Sequence, residues 1–188
     1  TDLEMTQVLA SRVVQRHESL RTRFVMRDGQ PAQVIEPPPA VTLAHLDVGA
    51  LPAPERLTAC IERGVAEAQA PFDLAQLPLF RAVVVRFSDD EHVLLLALHH
   101  IISDAWSLQV LARALVAAYG DPAHAGDALA IQYADYAAWQ RRSLADGALA
   151  AQRAYWRRQL DGELAPLVLA TDLPRPAAMT FRTARETL

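Results

Sequence analysis

Two apolar runs set the strongest constraint on how this chain can fold. Arg81-Ala82-Val83-Val84-Val85-Arg86-Phe87 and His92-Val93-Leu94-Leu95-Leu96-Ala97-Leu98 are separated only by the polar turn Ser88-Asp89-Asp90-Glu91. Short runs rich in valine and leucine fit strands, and a brief polar link between them fits an antiparallel hairpin. Neither run alternates apolar with polar residues, so the hairpin is expected to be buried on both faces. A hairpin of that kind needs covering layers, and the flanking sequence supplies them. Residues 2–18 carry Leu3, Val13, Val14 and His17 in a weak helical pattern. Thr22 to Met26 and Gln33 to Ile35 flank Asp28-Gly29, the chemistry of a second hairpin turn. Pro37-Pro38-Pro39 reads as an extended connector, Val41 to Leu46 as a strand, and 55–69 as a helix with Leu57, Ile61, Val65 and Ala68 on one face. Further helices are expected from about Asp104 to Tyr119, near 132–145 and near 147–160, with 163–188 extended or loop-like. The alternation indicates an α/β class, a mixed β-sheet packed with helices.

Composition narrows the function. The chain has 188 residues and a net charge of -4, with no basic stripe to neutralise phosphates, which argues against nucleic acid as the main partner. Its single cysteine, Cys60, excludes a disulfide framework within the chain and any cysteine-based zinc cluster. All of its positive side-chain charge is arginine, so lysine Schiff-base and lysine general-base chemistry are excluded. No apolar window is long enough to span a bilayer, and the opening Thr1-Asp2-Leu3-Glu4-Met5 is not a signal peptide. A cytoplasmic location without membrane attachment is the expectation. The opening reads as a segment cut from a longer chain.

The chemistry concentrates in His99-His100-Ile101-Ile102-Ser103-Asp104-Ala105-Trp106-Ser107. Two histidines close an apolar strand and a carboxylate opens the next helix. Successive strand side chains point to opposite faces, so the two imidazoles are not placed to chelate one metal, and no metal is expected. One imidazole can enter a cleft and take a proton from an attacking amine or hydroxyl near neutral pH. On local grounds alone, Asp104 is equally readable as a helix N-cap.

HHIISDAWS resembles the HHxxxDG signature of nonribosomal peptide synthetase condensation domains. Arg16-His17-Glu18-Ser19-Leu20-Arg21-Thr22-Arg23-Phe24 is similar to that family's RHExLRTxF motif, and Tyr133-Ala134-Asp135-Tyr136-Ala137-Ala138-Trp139-Gln140 to its YxDYAxWQ motif. Ala70-Pro71-Phe72-Asp73-Leu74 and Thr171-Asp172-Leu173-Pro174-Arg175-Pro176 also resemble familiar segments. The resemblance implies a chloramphenicol-acetyltransferase-like lobe, one of two that make the full domain. It implies amide formation between a donor thioester and an acceptor amine, each carried on the 4'-phosphopantetheine of a carrier domain, with no cofactor bound by the lobe itself. The implied partners are donor and acceptor carrier domains, the lobe's own C-terminal counterpart and an adenylation domain.

Carried over by motif, His100 is the catalytic candidate, as general base or as positioning group. His99 is a packing residue, and Asp104 a structural one held by an ion pair with Arg21 or, second, Arg16. Removing Asp104 from a buried pair would cost about 3–5 kcal/mol. Ala105 stands where glycine is usual and keeps its main-chain N–H for a developing oxyanion, while Trp106 and Ser107 are substrate-tunnel candidates that fit the subtype joining two L-configured partners. Tyr133, Tyr136 and Trp139, together with Tyr155 and Trp156, are expected in the core, and Arg141, Arg142, Arg153, Arg157 and Arg158 on a solvated surface. The family's first motif would precede Thr1 and its second lobe would follow, so 1–188 is expected to be a partial domain with negligible activity alone. Two alternatives stay open: a coenzyme A-dependent HHxxxD acyltransferase, and a non-catalytic condensation-like scaffold.

Overall fold

The computed structural model describes residues 2–121, 128–171, 173–174 and 176–178. Thr1–Arg142 and Ser143–Leu188 form two compact units. Asp172 and Arg175, singled out in the last family-like segment, and the end of the chain from 179 lie outside the described residues.

The first unit begins with helix α1 (Asp2–Arg16), followed by a short 3-10 turn over Glu18–Arg21. Strands β1 (Thr22–Arg27) and β2 (Gln30–Ile35) pair antiparallel, with Arg27 opposite Gln30. Asp28 and Gly29 both take positive φ between them, the backbone that a two-residue hairpin turn of this hand requires. A second sheet contains β3 (Ala44–Asp47), β4 (Phe80–Arg86) and β5 (His92–Leu98), in that spatial order. β3 runs parallel to β4, which obliges a crossover, and helix α2 (Ala53–Gln69) supplies it. The expected strand near Val41 starts later, at Ala44, although Val41 and Leu43 are buried. β4 and β5 form the expected antiparallel hairpin, with Val83 opposite Leu95 and Val85 opposite Val93. Helix α3 (Ala105–Gly120) follows, and helix α4 (Tyr133–Ala145) runs to the end of this unit and a few residues beyond.

β4 is the strand buried on both faces. Ala82 and Val84 join Val13, Val14, Leu20, Val41, Leu43, Leu79 and Ile102 on one side. Val83 and Val85 join Val48 and Cys60 on the other. β5 departs from the expectation: Leu94 and Leu96 are each 37% exposed. It is one of the two edge strands of the sheet, its apolar side is covered only in part, and a small cavity remains among Leu94, Leu96, Val13 and Leu111.

α2 also turns a different face inward from the one its apolar residues mark. Leu57 and Ile61 are 60% and 56% exposed, whereas Cys60 is buried. Small residues let the helix approach the sheet: a side chain at Gly64 would already touch Leu95. Polar groups lock the remaining contacts. Arg56 donates to the main-chain carbonyls of Gly49 (2.8 Å), Leu51 (2.9 Å) and Phe87 (3.2 Å).

The aromatic residues of α4 are not core. Tyr133, Tyr136 and Trp139 stack on one another at ring distances of 5.9 and 5.7 Å but stay exposed. Their three-residue spacing brings the rings together along the helix, where each keeps roughly half of its surface in solvent. In the second unit, α5 (Ala150–Gln159) is exposed on every side, Tyr155 and Trp156 included. The arginines of α4 and α5 are solvent-facing, as expected.

Candidate functional site

β5 ends at Leu98, and the chain turns through 99–103 before α3 begins. His99 is the hub of that turn. Its N–H donates to the Leu79 carbonyl at 3.0 Å, adding one rung to the β4–β5 ladder. Its carbonyl accepts from the Ile102 N–H (3.1 Å) and the Ser103 hydroxyl (3.2 Å). Its imidazole Nδ1 accepts from the Ile101 N–H at 3.0 Å, and its ring packs perpendicular to that of Phe72 with centroids 5.9 Å apart. His99 is thus half-buried, in ring contact with Phe72 and bonded to the Ile101 N–H.

His100 is exposed and, among the described residues, its imidazole has no hydrogen-bond partner. It lines a cleft of about 290 Å³ whose wall includes His17, Thr22, Ser103, Asp104, Ser107 and Gln132. With Tyr133 also on its wall, the cleft gathers residues from all three of the sequence motifs. Trp106 is 68% exposed and borders a separate, smaller cavity that also touches Ser107 and His17.

Asp104 caps α3. Its Oδ1 accepts from the Ser107 N–H (2.7 Å) and the Ser107 hydroxyl (2.6 Å), which hold its carboxyl below the usual carboxylate range. The expected ion pair with Arg21 is not formed. Arg21 instead donates to the Glu36 carbonyl (2.6 Å) and pairs with Glu18 (3.2 Å). The reason is local: Glu18 lies on the same short turn as Arg21, and β2 delivers the Glu36 carbonyl beside it. Neither Arg21 nor Arg16 is among the groups that lower the Asp104 pKa. Asp104 is also exposed, so the buried-pair energetics do not apply to it. Arg16 contributes to this region through its main chain, whose carbonyl accepts from Gln132.

Gln132 is the residue that the sequence reading missed. Its amide Nε2 donates to the Arg16 carbonyl (2.9 Å) and its Oε1 accepts from the Glu18 N–H (3.2 Å). Its own N–H donates to Asp135 at 2.9 Å, the reciprocal half of a helix cap. The Gln132-x-x-Asp135 spacing was the available signal for the cap, but nothing local signals the clamp. His17 is the other unanticipated feature. Burial, and secondarily the Arg16 charge, lowers its pKa, and its buried Nε2 has no hydrogen-bond partner. No group of three or more His, Cys, Asp or Glu side chains among the described residues could hold a metal ion. Nor is any described helix long and apolar enough to cross a membrane.

A mixed sheet whose central hairpin ends in a paired-histidine turn, followed by a carboxylate-capped helix, defines an α/β protein of the HHxxxD kind. The condensation-domain family model matches residues 3–188, and the chain belongs to that family. It is 39% identical over its whole length to one of the linear gramicidin synthase subunits of Brevibacillus parabrevis, of which it spans 2%. It is 41% identical over 96% of its length to surfactin synthase subunit 1 of Bacillus subtilis (strain 168), of which it spans 5%. Among solved structures, the complex of the X-domain and OxyB from teicoplanin biosynthesis matches with a TM-score of 0.79 and 32% identity, covering 94% of this chain and 39% of the solved one. The chloramphenicol-acetyltransferase-like α/β fold expected from the motifs is the fold of these relatives.

Proposed function

We propose that the chain is the histidine-bearing, N-terminal lobe of a condensation domain in a cytoplasmic nonribosomal peptide synthetase, and that the assembled domain forms an amide bond. The observation that carries this reading is His100, exposed and unpartnered among the described residues in a cleft walled by residues of all three family motifs. The acceptor's neutral α-amine nitrogen attacks the donor's thioester carbonyl. The carbon–sulfur bond breaks as the tetrahedral intermediate collapses, and the amine's proton passes to the departing thiolate, restoring the donor carrier's thiol. His100 serves either by relaying that proton or by holding the amine in line, the second being worth much of the rate on its own. The main-chain N–H of Ala105, in the first turn of α3, is the candidate donor to the developing oxyanion. Ser19, Thr22, Gln33 and Gln132 give the cleft a polar lining that fits the amides of a phosphopantetheine arm, delivered by donor and acceptor carrier domains and loaded by an adenylation domain.

A condensation assay on the parent module, with both carriers loaded and product read by mass spectrometry, tests the reading. His100→Ala should lower product formation by about 10²–10⁴-fold if His100 is a proton carrier, and the 188-residue chain alone should turn over nothing. Equal product from the parent and its His100→Ala variant would sink the catalytic assignment, and turnover of coenzyme A thioesters alone would favour a different acyltransferase. A second reading is a lobe that recruits a partner without chemistry. It draws on the likeness to an X-domain solved with OxyB and on Ala105 in the glycine position.

A further inference from the structure

The His99 turn is held from outside by two residues that belong to none of the three main motifs. Arg81 lies opposite Ala97 on the β4–β5 ladder and His99 bonds to Leu79, so Arg81 and His99 are diagonal neighbours on one side of the hairpin. Phe72 bridges them. The Arg81 guanidinium sits 3.8 Å over the Phe72 ring, and the Phe72 and His99 rings pack perpendicular to one another at an interplanar angle of 89°. Arg81 is itself anchored by four groups at the end of α2. It donates to the carbonyls of Glu67 (3.1 Å), Ala70 (3.0 Å) and Pro71 (2.7 Å), and its charge faces Glu67 at 3.9 Å. A guanidinium with its donors engaged by fixed carbonyls and its face on an aromatic ring has little freedom to move.

We propose that Arg81 and Phe72 are positioning residues for His100. They fix the plane of the His99 ring so that its Nδ1 receives the Ile101 N–H, and that bond sets the backbone from which His100 projects. An acceptor reaching the N–H two residues on is what an Asx turn provides, so asparagine or aspartate at 99 should replace the imidazole in this task. The arrangement also requires the Nδ1 lone pair to be free and the proton to sit on Nε2. The turn itself is independent of the reaction proposed above; only its value for catalysis rests on that reading.

The test reads the turn in the full 188-residue chain, by amide hydrogen exchange and by ¹⁵N spectra of the histidine rings. The wild-type His99 ring should show an unprotonated Nδ1. In Phe72→Leu and in Arg81→Met, exchange at Ile101 should quicken by about tenfold, the scale of one net hydrogen bond. Ile102, bonded to the His99 carbonyl rather than to the ring, and the β4–β5 amides should keep their protection. His99→Asn should preserve protection at Ile101, and in that background Arg81→Met should no longer affect it. The proposal is overturned by any of three results: a protonated Nδ1, unchanged exchange at Ile101 in both variants, or equal loss at Ile101, Ile102 and the strands. Since no step depends on turnover, an inactive His100 would refute the proposed function and leave this result standing.

Discussion

Asp104 is held within a single helical turn, and that changes what its loss should do. A carboxylate bonded to Ser107 is a cap, so Asp104→Ala should lower the melting temperature modestly, while Asp104→Ser, which can still cap, should restore most of it. Equal losses for the two would show that a charge interaction, not the cap, is at work. The acid dependence has a definite sign. A lowered folded-state pKa means that the contribution of Asp104 is present above its unfolded value and is lost as pH falls through the folded one. His17 works in a higher window. Burial favours its neutral form in the folded chain, so its contribution is present above about 6.5 and fades as pH falls through its lowered folded value. Urea midpoints should therefore drop between pH 7.5 and 5.5, and His17→Gln, which cannot titrate, should show a smaller drop. An unchanged pH dependence in that variant would remove His17 as the cause.

Among the elements, Gln132 joins the start of α4 to the end of α1 and to the 3-10 turn after it, through one side-chain hydrogen bond each. Gln132→Ala should cost about 1–3 kcal/mol in denaturant unfolding, taking each bond at its usual net value. A cost near zero would mean that water replaces the clamp. This residue also shows where sequence reading stops. The hairpins were legible because turn chemistry is local: Asp28-Gly29 and Ser88-Asp89-Asp90-Glu91 state their own geometry. The apolar side of α2 was legible as a side, but not as an outward one, because periodicity does not say what a helix packs against. Cys60 and Gly64 win the inner position through close approach, leaving Leu57 and Ile61 outside. The histidine pair, expected to close β5 as strand residues, lies just past Leu98 in the turn that follows. The partner of Arg21 was not, since β2 brings the Glu36 carbonyl to it from another part of the chain.

For the whole molecule, the order in which contacts can form follows from their span along the chain. The β4–β5 hairpin closes across a short turn and should form early. The β3–β4 pairing must wait for α2 to close its crossover, as in any parallel pair. The Gln132 clamp joins residues 114 and 116 positions apart, the longest closures among the described hydrogen bonds. The last contacts made are thus those that seal the cleft. In pulse-labelled refolding, amides of β4 and β5 should gain protection before the Glu18 amide does; the reverse order would contradict this sequence of events. Under mild denaturant the same hierarchy runs backward, so the chain should lose its His100 cleft while its central hairpin is still intact. A folded spectrum is then no guarantee of a competent cleft.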